Sequence, residues 1–342
     1  MSDETRANAT VFDYLRWRGD LTLAQDGFNE VDSLILCIIS YINLKKLRQL
    51  WSFDPKDAMP MGDVCRHLTE EDEQLGLSTL DYIPLMRAAA ETARFRDVSL
   101  FAFESLHDEA QQMQFAAVSF LLPDGSVYVA YRGTDMTIVG WQEDFNMSFL
   151  SAVPAQLKAT EYAEAVARAC PRRPLRIGGH SKGGNLAAWA AVHLDEKLQR
   201  KRLIAAYNND GPGFRTSLLP LPEHKRVAGR IVTIIPESSV VGILLEHEEH
   251  GDMAACVAVN EQGKLVAEDL WNGFDDEFLD AVKEYLSEKW NMPKKLLRII
   301  PALFTRISIV PTSFAIVATI ACTAGSSVTS HTYPCALIPF SA

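Results

Sequence analysis

The chain has 342 residues, 48% of them hydrophobic, enough for a sizeable core in one large or two modest domains. Its 33 Lys and Arg against 44 Asp and Glu give a net charge of -11, which argues against a nucleic-acid partner on electrostatic grounds. The six cysteines (Cys37, Cys65, Cys170, Cys256, Cys322, Cys335) form no C-x-x-C pair, and "MSDETRANAT" lacks the basic and apolar regions of a secretory leader. The expectation is a cytoplasmic protein with free thiols, no zinc site and no cofactor.

In chain order, "FNEVDSLILCIISYI" (28–42) sets Val31, Leu34, Ile35, Ile38 and Ile39 on one helical face, and "YIPLMRAAAETARF" (82–95) reads as a second helix. Residues 1–95 are therefore expected to form a helical extension packed on a larger core. The pattern changes at "FAAVSFLL" and "SVYVAYRG", two β-rich runs joined by Pro123-Asp124-Gly125, a hairpin signal. "AQLKATEYAEAVARAC" is an amphipathic helix that stops at Pro171, "LRIGG" a short buried strand, and "KGGNLAAWAAVHLDEKL" a helix. "LIAAYNN", "RIVTIIP" and "MAACVAVN" read as further strands, with the helix "DEFLDAVKEYLSEKW" after them. Strands alternating with helices predict an α/β core over 96–290, a mostly parallel sheet covered on both faces.

From 291 onward the chain carries Lys294, Lys295, Arg298 and Arg306 but no acidic residue. The apolar stretch "ISIVPTSFAIVATIACTAG" follows those basic residues, as in a membrane-associated tail, but Pro311, its Ser and Thr and its short apolar core argue against a span and for an unstructured terminus.

The chemistry centres on "LRIGGHSKGGNLAAWAA" (175–191), where Gly179-His180-Ser181-Lys182-Gly183 is a G-x-S-x-G between a predicted strand and a predicted helix. In that context the motif predicts a tight turn that lifts the Ser181 hydroxyl to the sheet edge. It also aims the first helical N–H groups, beginning with Lys182, at an anion. Upstream, Thr134 follows a β-run and Gly133, so its backbone N–H and hydroxyl are candidates for a second oxyanion donor.

Arg132-Gly133-Thr134, Trp141 and Asp144-Phe145, followed by G-H-S-x-G, resemble the class 3 (fungal) lipase pattern of the α/β-hydrolases. Several blocks resemble more closely the Mbeg1-like (DUF2974) family of bacterial lipase-like proteins: "FDYLRWRGDLT", "FNEVDSLIL", "YVAYRGTDMTIVGWQEDFNMSF", "GGHSKGGNLA", "YNNDGPGF" and "IIPESSVVGILLEHEE". The resemblance spans about residues 12–249. It implies an α/β-hydrolase fold, a nucleophile at Ser181 and an oxyanion hole from Thr134 and Lys182, with no particular substrate.

In the α/β-hydrolase order an acid and then a histidine follow the serine. Asp210, in "NNDGPGF", ends the strand after the serine-bearing helix, at the same sheet edge; an Asx turn before Gly211-Pro212 explains it equally well. Glu237, ending "RIVTIIPE", occupies the strand that carries the acid in class 3 lipases, but the D-x-V-P pattern expected there is replaced by Ser238-Ser239-Val240-Val241, which favours Asp210. Of eight histidines, His67 and His107 precede the serine, His180 shapes the turn and His193 lies on the following helix, leaving His224, His247, His250 and His331. The family it resembles usually shows a His-Asp pair after the last strand, and here "LVAEDLWNGF" puts Glu268 where that resemblance implies a histidine. A carboxylate cannot shuttle protons at neutral pH unless burial raises its pKa by several units. His247 and His250, in "LLEHEEHGD", are the available substitutes, and His247 is the expected base. The expected function is ester hydrolysis on a small acyl ester or lipid; the alternative is a homologue that has lost its base and binds a lipid or protein partner.

Overall fold

The computed structural model describes residues 10–69, 72, 82–135, 137–147, 150–214 and 221–235. His247, His250, His331, Glu237, Glu268, the strand and helix expected after 250 and the apolar tail all lie outside them.

Seven strands form one sheet in chain order: β1 (Met59–Pro60), β2 (Ser99–Asp108), β3 (Met113–Leu121), β4 (Val127–Tyr131), β5 (Leu175–His180), β6 (Leu203–Asn209) and β7 (Ile231–Ile234). The sheet is mixed. β1 to β4 pair antiparallel, with Pro123-Asp124-Gly125 in the β3–β4 connection as its turn chemistry predicts, and β4 to β7 pair parallel. Every residue of β4 is buried, as expected of a strand covered on both faces. Val127, Val129 and Tyr131 point to one core and Tyr128 and Ala130 to the other.

The helices that follow β4 are α5 (Ile138–Met147), α6 (Pro154–Ala169), α7 (Lys182–His193), α8 (Glu196–Lys201) and α9 (Pro222–Val227). Parallel strands added in sequential order by right-handed crossovers receive their helices on one face. Accordingly α6, α7 and α9 bury Ala155, Ala159, Tyr162, Val166, Leu186 and Val227 against Val129, Tyr131, Leu175 and Ile177. That leaves the opposite face for the amino-terminal helices α1 (Val11–Arg18), α2 (Glu30–Ile39), α3 (Met61–His67) and α4 (Tyr82–Glu91).

This second layer is fixed by buried polar contacts as well as by apolar area. Asn29 and Asp32 form a capping box at the start of α2, and Asp32 is fully buried. Arg94, also fully buried, donates its Nε (2.6 Å) and Nη2 (2.5 Å) to Asp32 and its remaining donors to the carbonyls of Leu21, Asp26 and Gly27, so the buried charge is paired and its fork is filled. Across the sheet, the Tyr128 and Ser33 hydroxyls lie 2.8 Å apart, and Asn209 Nδ2 donates to Ser33 Oγ and to the Gly179 carbonyl. These bonds hold α2 over β4, β5 and β6, with its carboxyl end beside the carboxyl edge of the strands. Among the described residues no helix is long and apolar enough to cross a membrane.

Candidate active site

Ser181 is the single residue between β5 and α7, with φ 56° and ψ -131°. A side chain other than glycine in that region carries roughly 1–3 kcal/mol of strain. The neighbours enforce it. A Cβ on Gly179 would sit 2.0 Å from the Gly183 carbonyl oxygen, and one on Gly183 would sit 2.2 Å from the Tyr131 carbonyl oxygen, so strand, turn and helix close only with glycine at both positions. The Ser181 N–H donates to the Asn209 carbonyl (2.9 Å), and its own carbonyl accepts from Gly184 N–H (2.8 Å). The first turn of α7, beginning at Lys182, supplies N–H groups that have no acceptor within the helix.

The loop after β4 faces this turn. A Cβ on Gly133 would lie 3.1 Å from Ser181 Cβ, which places Arg132-Gly133-Thr134 directly against the serine. Thr134 is buried and its Oγ1 donates to Asp144 Oδ2 (2.5 Å) on α5. Burial pushes the Asp144 carboxyl up from the ordinary 3.8 to about 7, against the opposing pull of the Lys182 ammonium and the Thr134 hydroxyl.

The Lys182 side chain has a role that its place in the motif does not reveal. It is 2% exposed, and its Nζ donates to Gln114 O (2.9 Å), Gln114 Oε1 (2.7 Å) and Glu143 Oε2 (3.0 Å), with Asp144 Oδ1 at 4.0 Å. Glu143 is fully buried and also accepts from the Gln114 and Ala155 N–H groups (3.0 and 2.8 Å). One buried ammonium thereby staples the serine turn to β3, α5 and the start of α6. Of these partners the sequence singled out only Asp144, inside the lipase-like pattern; Gln114 and Glu143 carried no local signal.

Asp210 stands one residue beyond β6, next to Ser181 by the pairing of His180 with Asn209. It too has a positive φ of 56°, and its N–H donates to the Ile234 carbonyl. The histidines separate clearly. His193 is stacked on Trp189 with Nδ1 at 2.9 Å from the Trp189 carbonyl, and His224 is buried edge-on to Phe214. His67 and His107 lie on α3 and β2. His180 Nδ1 lies 3.0 Å from the Tyr41 hydroxyl, which also accepts from the Gly133 N–H at 3.2 Å; burial lowers the His180 pKa to about 4. Tyr41, just past the end of α2, carried no sequence signal.

A sheet with helices on both faces, crossing strands in order and presenting a serine in a glycine-enforced turn at the carboxyl edge, is an α/β-hydrolase architecture. The chain belongs to the Mbeg1-like family, whose sequence model matches residues 89–296, more than half of the chain. Among solved structures, similar ones include a fungal lipase–inhibitor complex described as a model for interfacial activation (14% identity, TM-score 0.38, covering 60% of this chain and 69% of that one). Another is M37 lipase (15% identity, TM-score 0.37, covering 63% and 69%). No curated protein matches the chain.

Proposed function

We propose that the protein is a serine hydrolase of lipase or esterase type. Ser181 Oγ attacks the carbonyl carbon of a small acyl or lipid ester while His247 takes the hydroxyl proton. The tetrahedral oxyanion is held by the N–H groups of Thr134 and Lys182. Collapse expels the alcohol, which receives the proton from the histidine, and water then releases the acid by the same steps. Asp210 orients the histidine. The observation that carries this reading is the strained turn: Ser181 at φ 56°, between β5 and the amino end of α7, with Thr134 on the facing loop. Strain of this kind persists where the surrounding structure over-determines it, which is characteristic of functional positions.

A second reading rests on Glu268, which stands where the family resemblance leads one to expect a histidine: a protein that keeps the turn but has lost its base, and binds a lipid or a partner. A fluorophosphonate probe separates the two. Under the first reading it labels the full chain and not Ser181→Ala, and His247→Ala abolishes turnover of p-nitrophenyl esters. Labelling absent from the unsubstituted chain refutes the hydrolase reading. Under the second, Glu268→His creates turnover where the unsubstituted chain has none. The amino-terminal helical layer (1–95) belongs, in this proposal, to the working unit rather than to a separate module, and the apolar tail after 306 is a candidate membrane contact.

A further inference from the structure

The Tyr41 hydroxyl bonds to both sides of the proposed reaction centre. It accepts from the Gly133 N–H (3.2 Å) in the loop that carries Thr134, and lies 3.0 Å from Nδ1 of His180, the residue before Ser181. Its ring is buried and stacks on Tyr82, with centroids 5.5 Å apart and planes 10° apart, so the phenol has little freedom to leave this position. Both Tyr41 and Tyr82 come from the amino-terminal layer, outside the residues 89–296 that match the family.

The proton assignment follows from counting donors. Gly133 N–H can only donate, so the phenol oxygen accepts there; with His180 Nδ1 as the acceptor of the buried phenol's own proton, neither partner is left unpaired. The imidazole is then the neutral tautomer with its proton on Nε2. Burial, which disfavours the imidazolium, keeps the ring neutral, and the phenol bond sets the tautomer.

We propose that Tyr41 is a positioning residue: its hydroxyl sets the spacing between the Gly133-Thr134 peptide and the His180-Ser181 turn, and so aligns the oxyanion donors with the serine. The proposal rests on the reading of Ser181 as the nucleophile. It makes the amino-terminal layer part of the reaction centre, and it excludes His180, with Nδ1 occupied and Nε2 already protonated, as the base.

The test is Tyr41→Phe in the full chain, which keeps the ring stack and removes only the bridge. With a fluorophosphonate probe the maximal labelling rate of Ser181 is expected to fall about 10- to 100-fold, the cost of a misaligned site, while half-saturation stays within about threefold. In selectively 15N-histidine-labelled protein, the His180 signal, assigned by His180→Gln, is expected to lose its hydrogen-bonded Nδ1 signature. A variant that melts earlier but labels at the unsubstituted rate while folded, or whose His180 signal is unchanged, overturns the proposal. If the unsubstituted chain itself does not label, the hydrolase reading has failed and takes this one with it; labelling of the unsubstituted chain with no effect of Tyr41→Phe sinks this one alone.

Discussion

Replacing Lys182 with Met tests whether the buried ammonium organises the serine turn. The Nζ to Glu143 separation of 3.0 Å corresponds to a gross attraction of about 5.5 kcal/mol at an effective dielectric of about 20. Two further bonds, to the carbonyl and the side chain of Gln114, are lost with it. Against this, the variant no longer buries an ammonium, and methionine refills most of the volume. Breaking a buried pair by removing one partner costs about 3–5 kcal/mol, because the other charge stays behind, and Glu143 is fully buried. We therefore expect Lys182→Met to lose about 3–4 kcal/mol, read as a lower urea midpoint by tryptophan fluorescence at unchanged slope. The double variant Lys182→Met/Glu143→Gln removes the stranded carboxylate and should recover a large part of that loss. A single variant within about 1 kcal/mol of the unsubstituted protein, or a double variant no more stable than the single, would refute the view that the pair is a stressed, mutually dependent unit.

Two further outcomes follow from the site geometry. Ser181→Gly places a residue tolerant of positive φ at 56°, so it should stabilise the fold by about 1 kcal/mol while abolishing probe labelling; equal or lower stability would show that the turn stores no strain. Asp144, raised from 3.8 to about 7, binds its proton more tightly folded than unfolded, so it contributes a stability that is full below 3.8 and is lost as pH rises towards 7, by up to about 4 kcal/mol. Asp144→Asn should flatten that part of the stability–pH curve in thermal melts, and parallel curves for the two proteins would refute the assignment.

Much of the fold was legible in local pattern. The helices at 30–39 and 82–91 follow apolar periodicity, the β3–β4 connection follows from Pro-Asp-Gly, and the serine turn follows from glycines whose necessity is steric and confined to a few residues. β2 escaped notice for a local reason as well. A bulge between Phe101 and Glu104, with Ala102 at φ 55°, turns Phe101 and Ala102 to the same core and breaks the period-two signal. By contrast, the partners of the site are separated by long stretches of chain: Gln114 and Glu143 from Lys182, Tyr41 from His180. No window of sequence contains both members of such a pair, and the motif drew attention to the Lys182 backbone N–H, not to its side chain.

By itself the sequence determined the turn at Ser181, because its geometry is set by sterics among adjacent residues. Only the tertiary structure decided what surrounds it. One-sided crossovers leave a bare sheet face that the amino-terminal helices must cover, and covering it brings Tyr41 to the serine turn. On the other face, closing α5 over β3 buries the Lys182 charge where only Glu143 and Gln114 can satisfy it.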